Sequence, residues 1–293
     1  MRDIGGVIES ACTFLLNYAR TKDGFYPQQV GIEEKPVTPT TAVAILALYK
    51  TKKLAEHDYN TYIHMLLNLK DRTEKSFCVN EGLSSWATAK ALITLLSVDP
   101  NVVCNEDILA LIKLQNEDGG WGYRPGYISR PFYTYFATKA LILYLNANDL
   151  KRGNIKTEMI EAVEKSLEKA NKFLQKIQLN DVWPRETGDK RPCPVATVMA
   201  LGSLKLIQQY FKSEVRNADI FETSYLFIQK LTKVKEWDRY GFGESGVAFY
   251  VQPAPVDVIP VILKIYGKCE IALYLVRWLI KNCKEYTKNI KEP

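Results

Sequence analysis

The sequence predicts an all-α fold, an α/α toroid (barrel) of about five to six helical hairpins with an inner and an outer ring of helices. Three observations predict it: an internal repeat of about fifty residues, two alternating kinds of helical segment, and almost no run that alternates like a β-strand. We expect a single toroid domain over residues 1–293. An open solenoid of the same units is the structural alternative.

The first kind of segment is amphipathic and leads into a polar turn that carries glycine, aspartate or an aromatic residue. Within Thr157–Gln178, charged residues alternate with Val163, Leu167 and Phe173, which is typical of a helix with one buried face. The segment Glu270–Lys284 has the same pattern. The apolar anchors of the other segments are Phe14, Leu66, Leu111 and Phe227. These six segments are the predicted outer helices.

The second kind of segment is rich in small residues and begins with Pro, Ser or Thr, which favour the first positions of a helix. Alanines three and four positions apart predict close contact with neighbours on several sides. The segments are Thr40–Leu48, Ser84–Leu92, Thr134–Leu141, Pro194–Leu201 and Pro255–Leu263. These are the predicted inner helices. Because the last of them stays apolar, with no polar capping repeat, we favour a closed ring.

Composition and charge exclude several classes of function. The chain has a net charge of +6 and no long block of Lys and Arg, so we expect no nucleic-acid partner. Its start lacks the pattern of a signal peptide, and no apolar stretch approaches the ~20 residues that cross a bilayer, so we expect a soluble, cytoplasmic protein. Membrane contact would be at most peripheral, through the basic face Lys281, Lys284, Lys288 and Lys291. Six cysteines without a CxxC pair predict buried thiols.

One turn carries a family motif. Gln115-Asn116-Glu117-Asp118-Gly119-Gly120-Trp121 resembles the Q-x-x-x-G-x-W repeat of squalene and oxidosqualene cyclases and of protein prenyltransferase β subunits. Gln178–Trp183 and Asp23–Tyr26 are partial copies. The resemblance spans the chain at the level of the repeat and implies the toroid fold. It also implies that Gln115 and Trp121 form a structural clamp and are not part of a binding site.

The catalytic motifs of these families are missing or altered. No D-x-D-D motif and no D-D-x-x-D magnesium motif occurs. The stretch Ser129–Thr134 is similar to the S-R-D-F-Y-H of prenyltransferases, but Pro131 and Thr134 replace zinc ligands, so we expect neither a metal nor another cofactor. Gln252–Pro260 is similar to an inner-helix segment of the cyclases, S-P-v-W-D-T-A, which makes Asp257 the candidate general acid. Alternatively, Asp257 caps its own helix.

Aromatic and basic residues near the starts of the inner helices are the candidate ligand-binding residues. An aromatic-lined apolar cavity suits an isoprenoid chain, and turn arginines suit a diphosphate. The candidates are Trp86, Arg130, Tyr133, Tyr135, Arg191 and Tyr250. The sequence therefore predicts a toroid that binds an isoprenoid or another apolar small molecule, with cyclase or transferase activity as a further expectation. In the alternative, the aromatics fill the core, and a non-catalytic toroid holds a protein partner.

Overall fold

The computed structural model describes residues 4–17, 37–54, 56–79, 82–149, 157–212, 219–233 and 254–277. This part of the chain is mostly helical, which confirms the all-α prediction. The amphipathic helices are α1 (Ile4–Asn17), α3 (Glu56–Asn68), α5 (Asn105–Lys113), α7 (Thr157–Ile177) and α9 (Asp219–Lys233). The small-residue helices are α2 (Thr38–Lys50), α4 (Ser85–Val98), α6 (Pro131–Asp149), α8 (Pro194–Phe211) and α10 (Ala254–Tyr266). Residues 270–277 are also helical.

Short elements complete the described chain. The strands β1 (Cys78–Val79) and β2 (Gly82–Leu83) form an antiparallel hairpin just before α4, in which Cys78 pairs with Leu83. A 3-10 helix, Pro100–Val102, separates α4 from α5. The alternating order of the two helix types follows the predicted order of segments.

Two of the small-residue helices, α4 and α8, are buried on nearly every side. In α4 and α8 the alanines, threonines and branched apolar residues are almost all inaccessible to solvent. The Ser84 hydroxyl caps α4 by accepting the Ala87 backbone N–H, and Pro194 begins α8. Helix α2 packs against α4, and α8 packs against α10, so each pair brings together two small-residue helices that are not consecutive in the chain.

The amphipathic helices bury only one face. In α7, Val163, Leu167 and Phe173 are buried, and the charged residues between them are exposed or partly exposed. In the first turn of α5, the Asp107 carboxylate accepts the Cys104 backbone N–H and forms an ion pair with Lys70. Because Asp107 is almost fully buried, this pairing offsets the cost of removing its charge from water.

The described residues group into two compact units. The first lies within residues 1–129 and 136–170, and the second within 130–135 and 171–293. The pair α2 and α4 belongs to the first unit, and the pair α8 and α10 belongs to the second. The closed toroid and the single domain over 1–293 stay predictions. Within the ranges given above, no helix has both the length and the apolar character needed to cross a bilayer.

Candidate functional site

The fourth residue of every small-residue helix occupies an equivalent position. It is a threonine in α2, α4, α6 and α8, namely Thr41, Thr88, Thr134 and Thr197, and each is 0% exposed. The Thr88 hydroxyl accepts the backbone N–H of Phe77 at 2.9 Å, and the Thr197 hydroxyl accepts that of Trp183 at 3.0 Å. In α4 and α8 this threonine therefore fixes the preceding turn to the helix.

In α10 the same position is held by Asp257. A carboxylate thus replaces the hydroxyl that the other four helices carry. Asp257 is half-buried, and its neighbour Val258 is fully buried. The sequence analysis identified Asp257 as an acid in an apolar helix but missed the register. The register could not be read from the sequence, because the predicted segments and the helices begin at different residues, such as Thr134 and Pro131 for α6.

Tyr135 of α6 lies near Asp257. The side chain is 5% exposed, and burial raises the pKa of Tyr135 far above its ordinary value because the phenolate would lose its hydration. The Asp257 carboxylate raises this pKa further, since a nearby negative charge disfavours a second one. The structure thus brings together two predicted site residues that are far apart in the sequence.

Gly202 of α8 allows this close packing. A Cβ atom at Gly202 would lie 2.6 Å from Val261 Cγ1 and 2.9 Å from Tyr135 Cε2, both too close for any side chain. The start of α6, the middle of α8 and the middle of α10 therefore meet at one glycine. The sequence analysis did not single out Gly202, because a glycine inside a helix has no local signal that reports a distant contact.

Arg130 and Tyr133 lie at the start of α6, beside the loop that precedes α8. Arg130 Nη2 is 2.5 Å from Glu186 Oε2. Burial raises the pKa of Tyr133, and the positive charges of Arg130 and Arg185 oppose that rise. The Arg130 guanidinium is thus already paired with a carboxylate of the same loop, a partner that the sequence analysis did not anticipate.

Trp86 and Arg191, two of the other predicted ligand-binding residues, have neighbours of their own. Trp86 is the second residue of α4, in the first unit, with its ring 6.1 Å from that of Tyr123. Arg191 has an 81% exposed side chain and pairs with Asp189. Tyr250 lies outside the described residues.

The Q-x-x-x-G-x-W turn is held by hydrogen bonds of its two outer members. The Gln115 side-chain amide donates to Gly119 O at 2.7 Å and to Ser166 O at 3.0 Å, which ties the turn to α7. The fully buried Trp121 ring donates from Nε1 to Leu111 O at 3.0 Å. Trp183 repeats this bond to Leu174 O at 2.8 Å. These contacts give Gln115 and Trp121 a structural role.

In the described part of the chain, no three His, Cys, Asp or Glu side chains come together in a way that could hold a metal ion. The groups near Gly202 are the Asp257 carboxylate, the Tyr135 phenol and the apolar Val261 side chain. No protein-family model matches the sequence, and a search of curated proteins finds no significant match.

Proposed function

We propose that this protein is a cytoplasmic α/α toroid that binds an isoprenoid or other apolar ligand against its small-residue helices, with Asp257 as the acid that faces the ligand. The observation that carries the proposal is the substitution of aspartate for threonine at the fourth position of α10. The resemblance of the Gln115–Trp121 motif to the cyclase repeat supports the toroid and the class of ligand.

Burying a carboxylate at the fourth position of a small-residue helix costs the folded state more free energy than burying a hydroxyl there. A threonine hydroxyl loses little on burial when it forms one hydrogen bond, whereas a carboxylate must retain a partner or take up a proton. The other four small-residue helices carry threonine at this position. A role toward a ligand explains why the fifth repeat carries an acid beside a buried tyrosine.

The ion pairs of the arginines indicate the kind of ligand. Arg130 is paired with Glu186, and Arg191 is paired with Asp189, so two of the cations expected to hold a diphosphate are already neutralised. An uncharged polyene, of the squalene type, fits this arrangement better than a prenyl diphosphate. In the reaction that we propose, Asp257 donates its proton to an alkene carbon. The alkene electron pair forms the new C–H bond, the resulting carbocation later loses a proton to solvent, and the Asp257 carboxylate takes up a proton from solvent, so the net reaction is an isomerisation.

Asp257→Thr gives the sharpest test, because it restores the residue that the other repeats use. The fold should tolerate it, with an unchanged or raised melting temperature, while ligand-dependent stabilisation by squalene and any squalene-derived product are lost. Asp257→Asn serves as the isosteric comparison. Purified protein would be incubated with squalene or with farnesyl diphosphate, followed by a thermal-shift assay and product analysis.

Two outcomes would contradict the proposal. If Asp257→Thr and Asp257→Asn bind and convert squalene as the wild type does, Asp257 has no role in the site. If neither squalene nor farnesyl diphosphate stabilises the wild type or yields a product, the alternative of a non-catalytic, partner-binding toroid is favoured.

A further inference from the structure

The loop between Trp121 and α6 is held rigidly in the first unit. Its backbone carbonyls accept hydrogen bonds from side chains of neighbouring segments: Tyr123 O from the Ser84 hydroxyl at 2.9 Å, Gly122 O from the Ser85 hydroxyl at 2.7 Å, and Tyr127 O from the Asn116 amide at 2.7 Å. The loop is therefore fixed from both sides before any partner arrives.

This fixed loop exposes large apolar side chains. The adjacent residues Tyr127 and Ile128 are 57% and 55% exposed. The Tyr127 ring lies 6.5 Å from the ring of Tyr123, which lies 6.1 Å from that of Trp86. A rigid group of aromatic residues loses little conformational entropy when a partner covers it, which is why such groups anchor protein interfaces.

One cation borders the aromatic group. The Arg124 guanidinium lies over the Tyr123 ring, 5.5 Å from its centroid, and donates to Val79 O at 3.2 Å. The loop residues 119–129 contain no Asp or Glu. Arg124 Nε is buried and has no acceptor in the part of the chain that the structure describes. The Arg124 side chain as a whole is only partly buried, and no carboxylate of the described residues forms an ion pair with it, so a carboxylate of a partner can neutralise its charge.

We propose that Trp86, Tyr123, Arg124, Tyr127 and Ile128 form a docking surface for an extended segment of a partner protein that carries an apolar side chain next to a carboxylate. We call this set the Tyr127 surface. The apolar side chain packs on Tyr127 and Ile128, and the carboxylate pairs with Arg124. This inference is independent of the proposed ligand site, because every residue of the surface belongs to the first unit, and Tyr135 and Asp257 belong to the second.

An anionic bilayer and a second copy of the chain both fit the single positive charge of Arg124 less well than a peptide does. Binding to an anionic bilayer draws on several basic residues, each contributing about 1 kcal/mol, whereas this loop carries one. A second copy of the chain on a two-fold axis would place the same patch on itself and bring two Arg124 cations together. A peptide that carries an apolar residue beside an acidic one matches both the exposed apolar side chains and the positive charge of Arg124.

The test pans a phage-displayed library of random peptides on the full-length protein. We expect the selected peptides to share an aromatic or branched apolar residue beside Asp or Glu, and their synthetic versions to bind at least tenfold more weakly to Tyr127→Ser/Ile128→Ser. Arg124→Gln should weaken binding in the same sense, while Arg124→Lys should retain part of it. Leu226→Ser is the matched control, because Leu226 is also exposed, at 58%, on a different unit.

Three results would overturn the proposal. The first is a set of selected peptides that lack an acidic residue or that bind the double variant as well as they bind the wild type. The second is flotation with phosphatidylserine vesicles that disappears in Tyr127→Ser/Ile128→Ser, which would assign the surface to lipid. The third is a dimer in sedimentation velocity that the same variant dissociates, which would assign it to self-association. Circular dichroism of each variant confirms that the exposed substitutions leave the fold intact.

Discussion

The Thr197 hydroxyl of α8 accepts the backbone N–H of Trp183 at 3.0 Å, and the buried Trp183 ring in turn donates to Leu174 O of α7. A helix start, a turn and the end of the preceding helix are joined through these two residues. Thr88 and Phe77 repeat the first of these bonds in the other unit. The repeat is therefore a repeat of hydrogen bonds as well as of apolar residues.

Replacing Thr197 by valine keeps the volume of the side chain and removes the acceptor. The Trp183 N–H would then be buried without a partner, and we expect the free energy of unfolding to fall by about 1–3 kcal/mol. Thr197→Ser keeps the hydroxyl and should cost clearly less. Urea unfolding of the two variants measures the difference, and equal losses would show that packing of the methyl group, not the hydrogen bond, matters here.

The two glutamines that begin the motif copies should differ in their contribution to stability. Gln115 joins its own turn to Ser166 of α7, whereas the Gln178 side-chain amide donates locally, to Asn180 O. We expect Gln115→Ala to lower the free energy of unfolding by about 1–3 kcal/mol and Gln178→Ala by no more than about 0.5 kcal/mol. Chemical denaturation of both variants provides the measurement, and similar losses would contradict the clamp role of Gln115.

Gly202→Ala should destabilise the protein although alanine is the better helix former. The new Cβ would clash with Val261 and Tyr135, at a cost of about 1–3 kcal/mol, against a gain of about 0.5–1 kcal/mol from helix propensity. We expect a net loss of stability that is partly recovered when Val261→Ala is added, because that change removes the Cγ1 atom at 2.6 Å. A double-mutant cycle from thermal or urea unfolding tests the contact, and strict additivity would argue against it.

Local patterns in the sequence predicted the helices well and their long-range contacts poorly. The periodicity of α7 and the alanine spacing of α4 depend on neighbouring residues, so both helices could be located from the sequence alone. Helix α6 begins at Pro131, three residues before the predicted segment, since proline fits the first turn. The pairing of Arg130 with Glu186 and the contact of Gly202 with Val261 join distant segments, and no local pattern reports them.

The same limit applies to the candidate site. The apolar context of Asp257 could be read from the sequence, but the proximity of Tyr135 depends on how α6, α8 and α10 pack. The register that equates Asp257 with Thr197 became evident only once the helix starts were fixed.

Burial of Tyr135 predicts a loss of stability in alkaline solution. Its pKa in the folded protein lies above that of an unfolded tyrosine, which is about 10. Below that value both states keep the proton, and the contribution to stability is fully present. Above it the unfolded state releases its proton while the folded state retains it, so a rise in pH favours unfolding, by up to about 1.4 kcal/mol per pH unit for one group.

Tyr135→Phe should therefore reduce the steepness with which the free energy of unfolding declines above pH about 10. Some decline should remain, because burial also raises the pKa of Tyr266. Urea unfolding of wild type and variant across this pH range gives the two slopes. Tyr127→Phe is the control, because that ring is 57% exposed and its removal of a hydroxyl should leave the slope unchanged. Identical slopes for wild type and Tyr135→Phe would show that the Tyr135 hydroxyl reaches water in the folded protein. Asp257 would then not lie beside a buried phenol, which would weaken its proposed role as the acid of the site.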